Sequence, residues 1–152
     1  AIPDLALRTT AMVGFPGETE EHFEALVDLV EEVQFEHLGV FLYYPEEGTP
    51  AARYPDPVPR RPARARARRL KALQARRVRQ RLKNLVDTVQ PVLVEGVSPE
   101  SEYLLTGRLI SQAPEIDGQV YITAGMGQLG EIQPVRLTRA LPYDLVGEMV
   151  SN

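Results

Sequence analysis

The chain has 152 residues, 43% of them hydrophobic and 25% charged, a balance that suits one ordinary domain or two small ones and excludes a disordered polyelectrolyte. No apolar run reaches membrane-spanning length and no stretch resembles a signal peptide, so a cytoplasmic protein without membrane contact is expected. Cysteine is absent, which excludes disulfides, thiolate zinc sites, cysteine nucleophiles and any iron–sulfur cluster held by this chain's own thiolates.

Taken in chain order, Leu5 to Val13 is a mostly apolar run that reads as a strand. It leads into Gly14-Phe-Pro-Gly-Glu-Thr19, where two glycines and a proline require a tight turn. Thr19 is placed to cap a helix, Glu20 and Glu21 suit its first turn, and Phe23, Leu26, Val27, Val30 and Val33 recur at helical spacing. Leu38 to Tyr44 is a second apolar run without alternation, predicting a strand buried on both faces. Together they predict a parallel β-α-β unit, whose ligands bind at the carboxyl ends of the strands. His22 and His37 lie far apart and outside any carboxylate cluster of metal-ligand spacing, so both read as surface histidines and no metal site is expected.

The formal net charge of −4 conceals three regimes. Residues 1–52 carry one basic and eleven acidic side chains, residues 53–86 thirteen basic and one acidic, and residues 87–152 three basic and nine acidic. The middle piece opens on the proline-dense Tyr54-Pro-Asp-Pro-Val-Pro-Arg-Arg-Pro62, a connector that places a boundary near 53–63. From Ala63 to about Asp87 the composition predicts one long basic helix with Leu70, Leu73, Val78, Leu82 and Val86 as its apolar stripe. Two readings of its arginines stay open: a phosphate-binding face, without aromatic residues on which bases could stack, or a helix lying against the acidic segments around it. Beyond it, strand candidates at Pro91–Glu95, Tyr103–Ser111, Gln119–Thr123, Glu131–Thr138 and Asp144–Val150 are separated by Gly96, Ser98-Pro99, Ala113-Pro114, Asp117-Gly118 and Gly125–Gly130. They predict a small five-stranded barrel.

Gly-Phe-Pro-Gly-Glu alone is a weak signal, since glycine-bearing strand-to-helix turns occur throughout α/β folds. In context, Leu7-Arg-Thr-Thr-Ala-Met-Val-Gly-Phe-Pro-Gly-Glu-Thr-Glu-Glu-His-Phe23 with Leu38-Gly-Val-Phe-Leu-Tyr-Tyr-Pro-Glu-Glu-Gly-Thr-Pro-Ala51 closely resembles the last two strands of the radical S-adenosylmethionine barrel of methylthiotransferases. The resemblance implies that Val13, Gly14, Phe15, Pro16, Gly17 and Glu18 lie near the adenine and ribose of S-adenosylmethionine, and that Phe41, Leu42, Tyr43 and Tyr44 approach the adenine. Arg8, the only cation of that segment, either faces the ligand's carboxylate or pairs with Asp4 or a neighbouring glutamate.

Gly107-Arg-Leu, Ala113-Pro-Glu-Ile-Asp-Gly-Gln-Val-Tyr-Ile122, Gly130-Glu-Ile-Gln-Pro-Val-Arg-Leu137 and Ala140-Leu-Pro-Tyr-Asp-Leu-Val-Gly-Glu148 resemble a TRAM domain, an oligonucleotide-binding-like barrel. Glu115–Ile122 and Tyr143–Glu148 are similar to the RimO family, which methylthiolates an aspartate of a small-subunit ribosomal protein. The barrel's acidic balance suits a basic protein partner and repels phosphate. Arg108, Arg136 and Arg139 read either as a ribosomal RNA or tRNA patch or as ordinary solvated strand positions. Glu115 and Asp117 read either as a partner contact or as turn chemistry.

The expected architecture is thus α/β plus β: 1–52 as the C-terminal strands and helix of a radical S-adenosylmethionine barrel, 53–87 as connector and basic linker helix, and 88–152 as a five-stranded TRAM barrel. Two strands and one helix are expected to leave apolar faces uncovered. The resemblance implies a transferase using S-adenosylmethionine and 4Fe-4S clusters whose cysteine ligands lie outside this chain, so the chain alone is expected to be inactive. Two alternatives remain: part of a tRNA adenosine methylthiotransferase, or a non-catalytic adaptor for ribosomal protein or RNA.

Overall fold

The computed structural model describes residues 5–99 and 101–150, with the backbone alone for 101–103. Its contacts divide the chain into two compact units, Ala1–Arg76 and Arg77–Asn152.

In the first unit, strand β1 (Arg8–Val13) pairs in parallel with β2 (His37–Leu42), in a register running from Arg8↔His37 to Val13↔Leu42. Helix α1 (Glu20–Val33) connects them. It starts in a reciprocal capping box: the His22 N–H donates to Thr19 Oγ1 at 3.2 Å, and the Thr19 N–H donates to His22 Nδ1 at 3.4 Å. His22 therefore has a structural task that composition did not reveal. Gln34 ends the helix in the left-handed region, at φ 57°, its N–H donating to the Val30 carbonyl.

A 3-10 turn at Pro50–Arg53 precedes helix α2 (Arg60–Leu85), which begins three residues before Ala63 and carries Pro62 harmlessly in its first turn. Within the first unit, Ala63, Arg66, Ala67, Leu70, Leu73 and Gln74 form its buried face. Ala67, Leu70 and Leu73 join Ala11, Val13, Phe23, Val27, Val30 and Val40 in one core. Buried Gln74 donates from Nε2 to the carbonyls of Phe35 and Glu36, at 3.2 and 3.0 Å, and so fixes the α1–β2 connection.

The unit boundary falls inside α2, whereas the sequence placed boundaries near 53–63 and at 87. The reason is packing: Ala67, Leu70 and Leu73 are built into the first core, and Leu82 into the second. The strand over Leu38–Tyr44 is shorter than expected and is not buried on both faces. The helices cover Ala11, Val13 and Val40, while Met12 is 52% and Phe41 59% exposed on the other face of the two-stranded sheet. The expectation of uncovered apolar faces is met there.

The second unit is a closed barrel of β3 (Val89–Ser98), β4 (Ser101–Leu109), β5 (Val120–Ile122), β6 (Ile132–Ala140) and β7 (Leu145–Met149), in the order β3-β4-β5-β7-β6. The β3–β6 pairing closes it, and β5–β7 is its one parallel pair among the described residues. Val92, Val94, Leu109, Val120, Ile122, Val135, Leu137 and Leu145 fill the interior, with Leu82 of α2 packed on them. Gly96 is not a turn: it sits within β3 at a register shift against β4, where a bulge bends the strand. Gly118 is required for close approach, since a Cβ there would lie 1.8 Å from the Tyr143 carbonyl oxygen.

Acidic α1 and basic α2 are tied across the first unit by Arg69 and Glu24, joined in a two-pronged ion pair whose second arm measures 2.8 Å. Arg69's hydrogen bond holds the Glu24 carboxyl below its ordinary value of 4.5, slight burial opposes this, and Arg69's charge adds to it. A carboxyl lowered on folding contributes stability above its unfolded pKa and loses it as pH falls through the folded value. Glu24→Gln is therefore expected to lower the melting temperature at neutral pH. The difference from the parent should shrink as pH falls below about 4.5 and vanish in stronger acid, as thermal melts across that range would read.

Candidate functional site

The Gly14–Glu18 turn leaves the carboxyl end of β1 and is held from behind by two residues one helical turn apart on α2. Gly14 has φ +80°, a conformation glycine adopts without strain, and a Cβ there would lie 2.7 Å from the Ala63 methyl. Its N–H donates to Glu18 Oε1 at 3.1 Å. The same oxygen accepts from Arg66 Nη1 at 2.6 Å, and that nitrogen also reaches the Glu18 carbonyl at 3.2 Å. Arg66 Nη2 pairs with Glu20 Oε2 at 2.9 Å.

Both ends of the Arg66–Glu18 pair are withdrawn from water, with side chains 9% and 11% exposed. Burial alone would lower the Arg66 pKa, but the hydrogen bonds to Glu20 and Glu18 and their charges outweigh it, so the guanidinium is held charged more firmly than usual. On the turn's other side the Gly17 N–H donates to the Asp56 carbonyl at 2.9 Å.

Above this clamp, at the carboxyl ends of β1 and β2, lies a cavity of about 260 Å³. It brings together Gly14, Pro16, Leu42, Tyr43 and Tyr44 of the predicted residues, and adds Tyr54, Pro57, Arg60 and Arg64. Phe15 meets the rings of Tyr43 and Tyr54 edge-on, at 5.1 and 6.0 Å between centroids. The Arg60 guanidinium lies 5.2 Å from the Tyr44 ring centroid. The buried Tyr43 hydroxyl has no hydrogen-bond partner among the described residues.

A cavity walled by rings and prolines fits a planar heterocycle. Its volume is below the roughly 300–1,000 Å³ of sites that enclose a whole drug-sized ligand, so it suits a nucleobase-sized group. The parallel pairing adds a second feature. The His37 and Tyr43 N–H groups bond toward β1, so by parallel-ladder geometry Leu38, Val40 and Leu42 turn their backbone groups to the opposite, unpaired edge of β2. That edge offers main-chain partners to a ligand.

The remaining predicted residues divide. Val13 is fully buried against the helices and its carbonyl accepts the Tyr43 N–H, so its side chain cannot face a ligand from the sheet's open side. Gly17 and Glu18 act in the clamp. Arg8 lies on the exposed face of β1 with Thr10 and Met12, opposite His37, Gly39 and Phe41. Its suggested partner Asp4 lies outside the described residues. Arg66, Ala63, Tyr54 and Arg60 were missed; the periodicity of Ala63, Ala67 and Leu70 would have put Arg66 on a packed face.

On the barrel, Arg108 is held by Glu95 at 2.6 Å and by the Gln112 carbonyl at 3.2 Å. Asp117 accepts the Ala113 N–H at 2.7 Å, the turn chemistry that was one of its two readings. Glu115 sits at φ 64° on the exposed side of that loop, and Arg136 and Arg139 are exposed on β6. Among the described residues no helix is long and apolar enough to cross a membrane, and no three acidic, histidine or cysteine side chains gather as a metal site would require.

A closed five-stranded barrel with this strand order and these loops is a TRAM domain, and residues 86–150 match the family described by that name. Similarity to known proteins runs along both of its units. It is 55% identical over 150 residues to the ribosomal protein uS12 methylthiotransferase RimO of Geobacter sulfurreducens, covering 99% of this chain and 34% of that protein. The proteins of the same name from Geotalea uraniireducens and Syntrophobacter fumaroxidans are 52% and 55% identical over 98% and 99% of this chain. The chain spans about a third of the length of the curated relatives it matches.

The clamp yields two predictions. Arg66→Ala leaves Glu18 buried without its cation and is expected to cost about 3 kcal/mol in denaturant unfolding, whereas Arg66→Met with Glu18→Gln recovers most of it. Gly14→Ala is expected to cost about 2 kcal/mol through positive φ and the Ala63 contact. Ala63→Gly in the same chain should return part of that loss, the part due to contact; no recovery would assign the whole cost to φ.

Proposed function

We propose that this chain is the C-terminal portion of a methylthiotransferase that modifies an aspartate of the small-subunit ribosomal protein uS12. The identity of 50–55% that runs through both units to proteins of that name carries the reading. The first unit contributes part of an S-adenosylmethionine site. The cavity at the carboxyl ends of β1 and β2 receives the adenine, with Tyr43, Tyr44 and Pro16 enclosing it and the free edge of β2 meeting its polar rim. Arg66, through Glu18 and Gly14, keeps that wall in place.

S-adenosylmethionine with an iron–sulfur cluster supplies radical and methyl-transfer chemistry. The chain has no thiolate for a cluster, so its 4Fe-4S ligands come from other parts of the enzyme, and these residues alone are inactive. The barrel recruits the substrate. Its excess of acidic side chains complements a strongly basic ribosomal protein and steers encounter with it, with Glu115 exposed for contact. The site of action is the cytoplasm, where ribosomes are modified. Exposed Arg136 and Arg139 favour a second reading, a tRNA adenosine methylthiotransferase.

The test is a chimera in which this chain replaces the matching third of the Geobacter sulfurreducens protein, produced together with uS12. Intact-mass measurement is expected to show uS12 gaining one methylthio group. A folded, cluster-loaded chimera that leaves uS12 unmodified would sink the reading, and a gain in tRNA nucleosides instead would establish the second.

A further inference from the structure

We propose that the outer face of α2 in the first unit, formed by Arg61, Arg64, Arg68 and Lys71, binds the phosphate backbone of folded RNA. At 3.6 residues per turn these four positions fall within about 80° of arc and extend about 15 Å along the helix. All four are exposed, and they lie away from the face on which Ala63, Arg66, Leu70 and Leu73 are buried.

Neutralisation by the acidic α1 does not reach them. Arg66 pairs with Glu18 and Glu20, Arg69 with Glu24, and Arg76 approaches Glu31 at 3.9 Å. Among the described residues Arg61, Arg64, Arg68 and Lys71 have no such partner, although residues 1–52 hold eleven carboxylates.

The arrangement works against the helix that carries it. Arg61–Arg64, Arg64–Arg68 and Arg68–Lys71 are like charges three or four residues apart, which repel along a helix surface. The first turn holds cations and no acidic residue, opposite to what the helix dipole favours. A face needed only for solubility is better served by mixed charges. Four uncompensated cations kept against two local costs fit a surface completed by a polyanion.

The chemistry selects among polyanions. Three of the four groups are guanidinium forks that match phosphate oxygens in pairs. The stripe carries no aromatic side chain for stacking on unpaired bases and no large apolar side chain to enter a membrane or a protein groove. Backbone contact with a folded RNA remains. The proposal rests on the proposed function only for the identity of that RNA: a ribosomal substrate protein is surrounded by it, and this stripe would hold the enzyme beside its substrate while the acidic barrel engages the protein.

The experiment titrates the 152-residue chain into a fluorescein-labelled short RNA duplex and follows anisotropy over a salt series. Four phosphate contacts predict that log K falls against log salt with a slope of about −3 to −4. Arg68→Gln is expected to reduce that slope by about one unit, and Arg61→Gln/Arg64→Gln/Arg68→Gln/Lys71→Gln to weaken binding at least about tenfold at low salt and flatten the slope. Removing like charges relieves the helix, so circular dichroism should show the quadruple variant folded, with an unchanged or higher melting temperature. Absence of RNA binding, an unchanged slope in the folded quadruple variant, loss of binding in Arg136→Gln/Arg139→Gln instead, or equal competition by polyglutamate would each overturn the proposal. In the chimera Arg61→Gln/Arg68→Gln/Lys71→Gln, which spares the cavity-lining Arg64, should leave modification of isolated uS12 unchanged. An inactive parental chimera would therefore count against the proposed function and leave the RNA titration readable.

Discussion

The first unit depends on a buried guanidinium. Two short parallel strands make too few hydrogen bonds to hold a glycine-containing turn in one place, and the turn's own Gly14 N–H would otherwise face a carboxylate with no counter-charge. Arg66 supplies that charge and spends its donors on the Glu18 side chain, the Glu18 carbonyl and Glu20. Desolvating such a pair is costly, and it is tolerated because most of its polar atoms are met; Arg66 Nε is the unmet exception. Ala63, one turn earlier, completes the restraint by being small: a larger side chain would push Gly14 away, and Gly14 cannot itself carry a Cβ. Helix α2 is therefore a structural wall of the candidate site and not simply a connector.

The same helix shows how segregated charge can serve two ends. In the first unit the inward-leaning arginines neutralise carboxylates of α1, and Arg66 and Arg69 also flank the Phe23 ring, at 5.5 and 5.4 Å from its centroid. Coulombic attraction between segments of opposite sign thus becomes helix packing at close range. On the opposite face Arg61, Arg64, Arg68 and Lys71 have no such partner among the described residues. A net charge of −4 gives no hint of either, because it averages segments whose signs are opposed.

The element types were legible wherever period and punctuation agreed. The helix from Glu20 followed from Thr19 and the Phe23–Val27–Val30 stripe, and the five barrel strands followed from short candidate runs spaced between turn residues. Burial of β2 on both faces was misread because an unbroken apolar run is ambiguous: Val40 and Phe41 are both apolar, and nothing local distinguishes the one under the helices from the one left open. The division into compact units inside α2 was not legible for a related reason. Prolines mark where a helix cannot continue, but membership of a core is decided by contacts, and Leu70 and Leu73 belong to the core of strands far earlier in the chain. Gly14, Pro16, Leu42, Tyr43 and Tyr44, named from the family resemblance, line one cavity because they share a strand end. Tyr54 and Arg60 were not named, because the loop that folds them back onto that end has no period to read.

The structure also separates what holds a ligand from what reacts with it. On the proposed reading the clamp, the ring-lined cavity and the edge of β2 place a flat group by shape and main-chain hydrogen bonds. The buried Arg66–Glu18 ion pair serves to hold the turn. The barrel's interior is filled with aliphatic side chains, while Arg108 is tied to Glu95 and Asp117 to its own loop. On the proposed function, a chain built in this way fixes where the adenine lies, and the radical chemistry falls to clusters whose thiolates its sequence does not contain.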